Sequence, residues 1–424
     1  MVRSHVVYLA TIAVLIIAVV YASAKAVRAH RVMTEVEARF GLNDVIRSSL
    51  PRKGGEPLRK STAADLLRPR TFDQYRREVD ALLERAQALE EFGGQTQLSE
   101  ACSKALIGGK RLRAIILLEV ARAASICRLE AHRNNARARP GDEPTPVDAG
   151  EVALFVEYIH SASLVIDDMP AFDNDLLRRG RPSLHAEMGP AIAQLAALSL
   201  IAAGFQNVCR QLDWIRDNCP EIQNVDRIGT RICNDVSRAL GAMGAAGGQY
   251  MDISSAETLQ QEHGPDAVEE LMYLKTATFF EIATVAGWLT AGGSPEQTTV
   301  LRDVGRHVGT AFQIADDIGD MARDAARAAQ GSASDQALGP AERHQRGGWN
   351  FANEYGRDVA QREVERNLKG ARLLLTQVGC WTPLWEDELY PAIRAMMVDP
   401  GPLSISPTIV APQEPPEEEP QAGK

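Results

Sequence analysis

The segment LVIDDMPAFDNDLLRRGRP (Leu164–Pro182) constrains the fold more than any other part of this 424-residue chain. It joins the end of an apolar stretch to four aspartates and three arginines. The residues from Gly150 to Ile166 are apolar almost all round a helix, so this helix has to lie inside the protein. Pro170 lacks an N–H and stops the helix. The charged end of the helix therefore has to form the floor of a cavity or cleft.

Paired carboxylates at this floor predict a metal site. Asp167 and Asp168 would lie together there, with Asp173 close by, and unpaired buried carboxylates are costly. A divalent cation would stabilise them, and all-oxygen ligands favour Mg²⁺, which typically carries phosphate. The guanidinium groups of Arg178 and Arg179 suit phosphate oxygens. The alternative is a solvated acidic helix end that these arginines neutralise.

A second acidic motif, FQIADDIGD (Phe312–Asp320), favours the metal site over that alternative. Asp316 and Asp317 are each one helical turn from Asp320, so all three can face one ion from a single helix. Two such segments predict the two walls of one cavity, with metal ions that hold a diphosphate as a leaving group.

Basic residues accompany both motifs. The segment GGKRLR (Gly108–Arg113) opens an apolar helix, whose first amides suit an anion, and Lys110 and Arg113 are spaced to bind one phosphate group. The spacing is not that of a Walker loop, which argues against ATP hydrolysis. Lys275 and Thr276 lie within another apolar helical stretch. A buried lysine needs a counter-charge, and a diphosphate would supply it.

Composition and periodicity predict an all-α fold. Aromatic residues make up 5% of the chain, and abundant Ala and Leu favour helix over sheet. A net charge of −10 argues against nucleic-acid binding. The six cysteines contain no CxxC pattern and are expected to be reduced thiols. The predicted organisation is a membrane anchor (1–30), a basic linker (31–74), a catalytic domain (75–398) and a disordered Pro/Glu-rich tail (399–424).

The segment Val6–Ala24 contains no charged residue over nineteen positions, which is close to the length that spans a bilayer. It fits either an uncleaved anchor or a signal peptide cleaved after Ala24. Because Lys25, Arg28 and Arg31 follow it, the positive-inside rule favours an anchor with the catalytic domain facing the cytoplasm.

Taken together, these segments resemble the short-chain trans-isoprenyl diphosphate synthases of the polyprenyl synthetase family, and most of all its geranylgeranyl diphosphate synthases. The segments that carry the resemblance are GGKRLR (Gly108–Arg113), DDMPAFDNDLLRRGRPSLH (Asp167–His185), GGQYMDI (Gly247–Ile253), KT (Lys275–Thr276) and FQIADDIGD (Phe312–Asp320). The resemblance implies a helical bundle around a deep central cavity and a homodimer. It also implies head-to-tail condensation of isopentenyl diphosphate with dimethylallyl, geranyl or farnesyl diphosphate, which releases pyrophosphate.

The resemblance further implies roles for individual residues. Up to three Mg²⁺ ions would be held by Asp167, Asp168, Asp173, Asp316, Asp317 and Asp320. The first five of these aspartates would be catalytic, together with Lys275. Isopentenyl diphosphate would be bound by Lys110, Arg113, His160 and Arg179. The allylic diphosphate would be bound by Arg178, Lys275, Thr276 and Gln313, and Gln249 and Asp252 would support the same site.

Product length is expected to depend on Ala162 and Ser163, which occupy the family's chain-length positions before Asp167. Both are small, which implies a C20 product, geranylgeranyl diphosphate, instead of the C15 product that large aromatics enforce.

The chain departs from the family downstream of Asp320, where RGGWNFANEYG (Arg346–Gly356) lacks the usual lysine. The alternatives are a farnesyl diphosphate synthase, a catalytically silent regulatory subunit, a terpene cyclase and a diphosphate-binding module.

Overall fold

The computed structural model describes residues 62–88, 91–94, 96–135, 139, 142–329 and 350–397. The predicted anchor, most of the predicted linker and the predicted tail lie outside these residues. The described helices are α1 (Ala63–Leu67), α2 (Phe72–Ala88), α3 (Gln97–Ala105), α4 (Leu112–Arg133), α5 (Gly150–Asp167), α6 (Leu184–Met188), α7 (Pro190–Asn218), α8 (Val225–Leu240), α9 (Ala245–Asp252), α10 (Ala256–His263), α11 (Ala267–Met272), α12 (Thr278–Thr290), α13 (Thr298–Ala329), α14 (Phe351–Tyr355), α15 (Arg357–Gln377) and α16 (Tyr390–Met396). A π-helical turn, Tyr273–Ala277, joins α11 to α12, and another, Leu384–Leu389, precedes α16.

Helix α5 is buried as predicted, and it packs most extensively against α7. The two helices run antiparallel, because Gly204 of α7 faces Phe155 while Gln211 donates to the Asp148 carbonyl at the start of α5. Asp148 and Glu151 do not form a capping box at the start of α5. The Asp148 side chain instead accepts the backbone N–H of Gly150 at 2.9 Å.

Helix α12 lies in the centre of the bundle, and all of its residues are buried. It packs between α4 and α13. Two glycines of α13 allow the close approach: a Cβ at Gly305 would lie 2.5 Å from the Glu281 Cα, and one at Gly309 would lie 2.6 Å from the Ala277 Cα. This contact brings the second acidic motif beside the Lys275 turn.

The structure departs from the sequence predictions in two places. The described end of the predicted linker contains α1, because Leu66 is buried and its carbonyl accepts from Arg122. The packed region therefore begins before residue 75. A short antiparallel hairpin, β1 (Leu177–Arg178) with β2 (Arg181–Pro182), interrupts the all-helical pattern after the first acidic motif.

Helix α7 is, among the described residues, long and apolar enough to cross a membrane by length and composition. More than half of its most apolar window, 56%, is buried inside the bundle. Its apolar face is therefore explained by packing on α5.

Candidate active site

The first acidic motif lies where α5 ends, and the hairpin folds back over it. Asp167 is the last residue of α5 and Asp168 is its C-cap. Asp168 is buried, and its carboxylate accepts two hydrogen bonds from Arg178 Nε, at 2.8 and 3.2 Å. An expected metal ligand and an expected diphosphate ligand are therefore paired with each other, so each would have to exchange its partner when substrate binds.

Asp167 lies in a cluster of like charges. Burial raises the pKa of its carboxyl to about 7, although Lys275 opposes the shift. Asp173 and Asp252 raise the pKa further by repulsion. A divalent cation bound beside this carboxyl group would favour its charged form. The position therefore suits Mg²⁺, as the sequence suggests.

Lys275 is the cation at the centre of this acidic cluster. Its Nζ donates to Asp252 Oδ2 at 2.5 Å. Burial lowers the pKa of the ammonium, but the surrounding carboxylates, with Asp167 first, outweigh burial and raise it overall. Lys275 is therefore charged and held at the acidic wall.

The GGQ segment of α9 packs directly on the Lys275 turn. A Cβ at Gly248 would lie 2.4 Å from the Lys275 backbone nitrogen, so only glycine fits there. Next to it, Gln249 is buried, and neither atom of its amide group has a hydrogen-bond partner in the described structure. Buried polar atoms are normally satisfied, so this amide suits a bound metal-water shell or ligand.

The second acidic motif lies on α13 and is tied to two other segments. Thr276 Oγ1 donates to Gln313 Oε1 at 2.8 Å, and Gln313 Nε2 donates to Asp317 Oδ1 at 2.8 Å. The backbone N–H of Phe351 donates to Asp317 Oδ2 at 2.8 Å. Asn350 caps α14 and donates to the Asp317 carbonyl at 3.1 Å.

Asp317 therefore differs from its neighbours in the motif. Burial raises its pKa to about 6, and the hydrogen bonds from Phe351 and Gln313 oppose the shift. Both carboxylate oxygens already accept protein hydrogen bonds, so Asp317 is connected to α14 before any metal binds. Local sequence carries no signal for this role of Asn350 and Phe351, because the link depends on tertiary contact.

Asp316 and Asp320 are half-buried on the same helix. Burial lowers the pKa of Arg113 on α4, and Asp316 is one of the carboxylates that oppose this shift, so the second motif faces the GGKRLR segment. Among the described residues, no three His, Cys, Asp or Glu side chains converge closely enough to form a ready-made metal centre.

The cationic side of the site is built around Arg113. Its Nη1 donates to His160 Nε2 at 3.1 Å, and its guanidinium lies 4.6 Å from the ring centre of Phe280 and 5.9 Å from that of Phe312. Burial lowers the pKa of Arg113 to about 10, so it remains charged at neutral pH.

His160 lies beside Arg113 as a neutral side chain. Burial, and then the positive charge of Arg113, lower its pKa well below the usual range. It is therefore neutral, and its Nε2 accepts a hydrogen bond from Arg113 Nη1. In this state His160 orients Arg113 and adds no positive charge for a diphosphate. The aromatic partners Phe279 and Phe280 were not predicted, although they lie four and five residues after Lys275 in the pattern KTATFF.

The side chain of Arg179 packs against the glycine pair of the GGKRLR segment. Gly108 and Gly109 have φ values of +74° and +103°. A Cβ at Gly109 would lie 2.9 Å from three guanidinium atoms of Arg179, whose Nη1 donates to the Ile107 carbonyl at 3.2 Å. Lys110 follows, with its Nζ 5.6 Å from the Phe312 ring centre. Lys110, Arg113 and Arg179 thus approach one region, as the sequence suggests.

The two expected chain-length residues lie one to two turns below Asp167. Ala162 is fully buried, and Ser163 Oγ donates to the His160 carbonyl at 2.9 Å. Farther down, Phe155 stacks on Phe205 of α7 with ring centres 5.7 Å apart. A cavity of about 60 Å³ is lined by Ser161 and Leu164 of α5 together with Asp168, Arg178 and Arg179.

Comparison with known proteins agrees with this geometry. Residues 95–341 match the family model described as polyprenyl synthetase. The trans-prenyltransferase of African swine fever virus is 33% identical over 331 residues, which cover 78% of this chain and 86% of the viral protein. The chloroplastic geranylfarnesyl diphosphate synthase of Leucosceptrum canum is 32% identical over 234 residues, which cover 55% of this chain and 57% of that protein.

The fold also resembles solved structures. An FPP/GFPP synthase from Zymomonas mobilis aligns with a TM-score of 0.54 and 22% identity, covering 77% of this chain and 100% of that chain. At this identity the likeness concerns the fold alone.

Proposed function

This chain belongs to the polyprenyl synthetase family as a short-chain trans-isoprenyl diphosphate synthase, and on that premise we propose that it makes geranylgeranyl diphosphate by Mg²⁺-dependent addition of isopentenyl diphosphate to an allylic diphosphate. Prenyl chain elongation is the activity of the family. The substrates, the metal ligands and the C20 product are the parts that belong to the proposal.

The observation that carries the proposal is the meeting of three charged segments at one end of α5. Lys275 lies against the acidic wall of Asp167 and Asp252. Burial lowers the pKa of Arg113, on the cationic side, and Asp316 of the second motif is close enough to oppose this shift. One region thus offers carboxylates for metal ions beside guanidinium groups for a second diphosphate.

The expected aspartates fit Mg²⁺, since they are oxygen ligands in a crowded acidic cluster beside the unpartnered amide of Gln249. When bound, Mg²⁺ would neutralise the departing diphosphate. Lys275, Thr276 and Arg178 would hold the allylic diphosphate. Arg113, oriented by neutral His160, would hold isopentenyl diphosphate with Lys110.

The aromatic rings around Arg113 suit the carbocation that forms when the allylic C–O bond ionises. Phe279, Phe280 and Phe312 present ring faces or edges to this region, and ring faces attract cations. The alkene of isopentenyl diphosphate would attack the cation, and the released diphosphate is the base nearest to the proton that leaves.

A product longer than C15 is supported by the small side chains of Ala162 and Ser163 and by relatives whose names specify geranylgeranyl and geranylfarnesyl products; C20 is the length that we propose. The test is product analysis with purified full-length chain, Mg²⁺, isopentenyl diphosphate and each of the three allylic primers. Extension that stops at C15 would overturn the C20 product. Turnover that requires a second protein would favour the regulatory-subunit alternative.

Two features of the proposal concern the whole protein. A homodimer and a membrane anchor at Val6–Ala24 are expected of this chain, with the catalytic domain on the cytoplasmic side. Size-exclusion chromatography with light scattering tests the dimer. Membrane partitioning of the full chain against a Lys25–Lys424 truncation tests the anchor, and equal partitioning would contradict it.

A further inference from the structure

A buried ion pair lies directly beneath the isopentenyl diphosphate side of the site. Arg111 lies between Lys110 and Leu112 and is the N-cap residue of α4. Its φ is +54°, and it is 6% exposed. Residues other than glycine seldom adopt positive φ, so surrounding contacts have to hold this backbone in place. Its partner Glu157 lies on α5, three residues before His160, and is 3% exposed.

All three guanidinium nitrogens of Arg111 donate hydrogen bonds that connect the loop to the core. Nε donates to Asp80 Oδ1 on α2 at 2.9 Å, and Nη1 donates to Glu157 Oε2 at 3.1 Å. Nη2 donates to the Leu106 carbonyl, just after α3, at 2.8 Å. One side chain thus fixes the loop against three helices, and the planar fork of arginine is required for these directions.

Glu157 also stabilises the charged form of the two neighbouring arginines. Burial lowers the pKa of Arg113, and Glu157 is the strongest opposing influence. Partial burial lowers the pKa of Arg179, and Glu157 is again the strongest opposing influence. The carboxylate is therefore a buried counter-charge for three guanidinium groups that would otherwise repel one another.

We propose that Arg111 and Glu157 form a positioning pair that sets the Gly108–Lys110 loop and aligns Arg113 with isopentenyl diphosphate. The pair does not touch the substrate; it acts through Arg113 and the loop. This inference rests on the proposed function, because it assigns the cationic side to isopentenyl diphosphate. It predicts that disturbing the pair weakens one substrate and spares the other.

The chain offers a matched control on the same helix. Arg122 binds Glu119 through Nε and Nη2 at 2.8 and 2.7 Å, and the two side chains are 10% and 1% exposed. This pair ties α4 to Tyr75 and to the Leu66 carbonyl instead of the site. Its loss should reduce stability without selecting between substrates.

The experiment compares Arg111→Lys and Glu157→Gln with Arg122→Lys and Glu119→Gln in the full chain. Steady-state kinetics are measured with isopentenyl diphosphate varied and then with farnesyl diphosphate varied, and Tm is measured for each protein. The first two variants should raise the KM for isopentenyl diphosphate about tenfold, the scale of one weakened charge-assisted hydrogen bond. Their KM for farnesyl diphosphate should stay within about twofold of the wild-type value. The control variants should change only Tm.

Asp80→Asn keeps the inference testable if the buried variants do not fold. The Asp80 side chain is 47% exposed, so its neutral replacement leaves no buried charge unpaired. It should raise the KM for isopentenyl diphosphate in the same direction by a smaller factor. An unchanged KM in Asp80→Asn, or equal changes in both KM values for all variants, would overturn the positioning role. If wild type neither turns over nor binds isopentenyl diphosphate in calorimetry, the proposed function itself is wrong.

Discussion

Gly109→Ala tests whether the position of Arg179 requires the space that the glycine pair leaves. An added Cβ would lie 2.9 Å from Cζ, Nη1 and Nη2 of Arg179. A carbon atom cannot occupy that distance from a guanidinium face, so Arg179 has to move. The backbone at this position has φ +103°, which alanine rarely adopts. The substitution therefore combines backbone strain with the displacement of an expected diphosphate ligand.

The two effects have separate magnitudes. A left-handed backbone costs a residue with a side chain about 1–2 kcal/mol of stability. Loss of one hydrogen bond to a charged group costs about 1.5–3 kcal/mol, which corresponds to about a 10-fold to about a 150-fold loss of affinity. Stability and substrate affinity should therefore both fall, and the affinity loss should concern isopentenyl diphosphate.

Gly108→Ala is the matched control. Its φ is +74°, but an added Cβ would lie 3.7 Å from Arg179 Cδ, an ordinary contact. The assay is the KM for isopentenyl diphosphate at saturating farnesyl diphosphate, with Tm measured in parallel. Gly109→Ala should raise this KM well above Gly108→Ala, while both lower Tm. Equal KM values for the two variants would refute the reasoning.

Three further predictions follow from the same site. Ala162→Tyr should shorten the main product, because a large ring would fill the position one to two turns below Asp167; chromatography of the dephosphorylated products checks it. In metal-free protein, Tm should fall as pH rises from about 4 to about 7, because the folded-state pKa of Asp167, about 7, exceeds the usual value of about 3.9. Mg²⁺ should then raise Tm more at pH 8 than at pH 5. Asn350→Ala should lower Tm, because it removes the α14 cap, which is worth about 1 kcal/mol. It should also reduce kcat, because the contact of Phe351 with Asp317 loosens. Asn350→Thr should restore much of the Tm and of the kcat.

Each of these has a contradicting result. An unchanged product from Ala162→Tyr would place the chain-length floor elsewhere. The same pH dependence of Tm in Asp167→Asn as in wild type would mean that another group titrates. A kcat that stays at the wild-type value in Asn350→Ala would show that the α14 contact serves stability alone.

The helical fold and most of the site could be predicted from local sequence. Apolar residues at helical spacing identify α5 and the α13 segment, because burial of an apolar helix face is a local property of the pattern. The same spacing recurs in α2, where Val79, Leu82, Leu83 and Ala86 are all buried. Placement of Asp316 and Asp317 on one helix follows from the same periodicity.

Tertiary contact decided which partner each charged residue takes. The sequence places Asp168 and Arg178 in one motif, but only the hairpin pairs them. The neutral state of His160 depends on burial and on Arg113, which is distant in sequence. Glu157 is the clearest case: its position three residues before His160 looks unremarkable in the sequence. Its role depends on the loop residue Arg111, because electrostatic pairing in a low-dielectric interior is set by distance in space rather than along the chain.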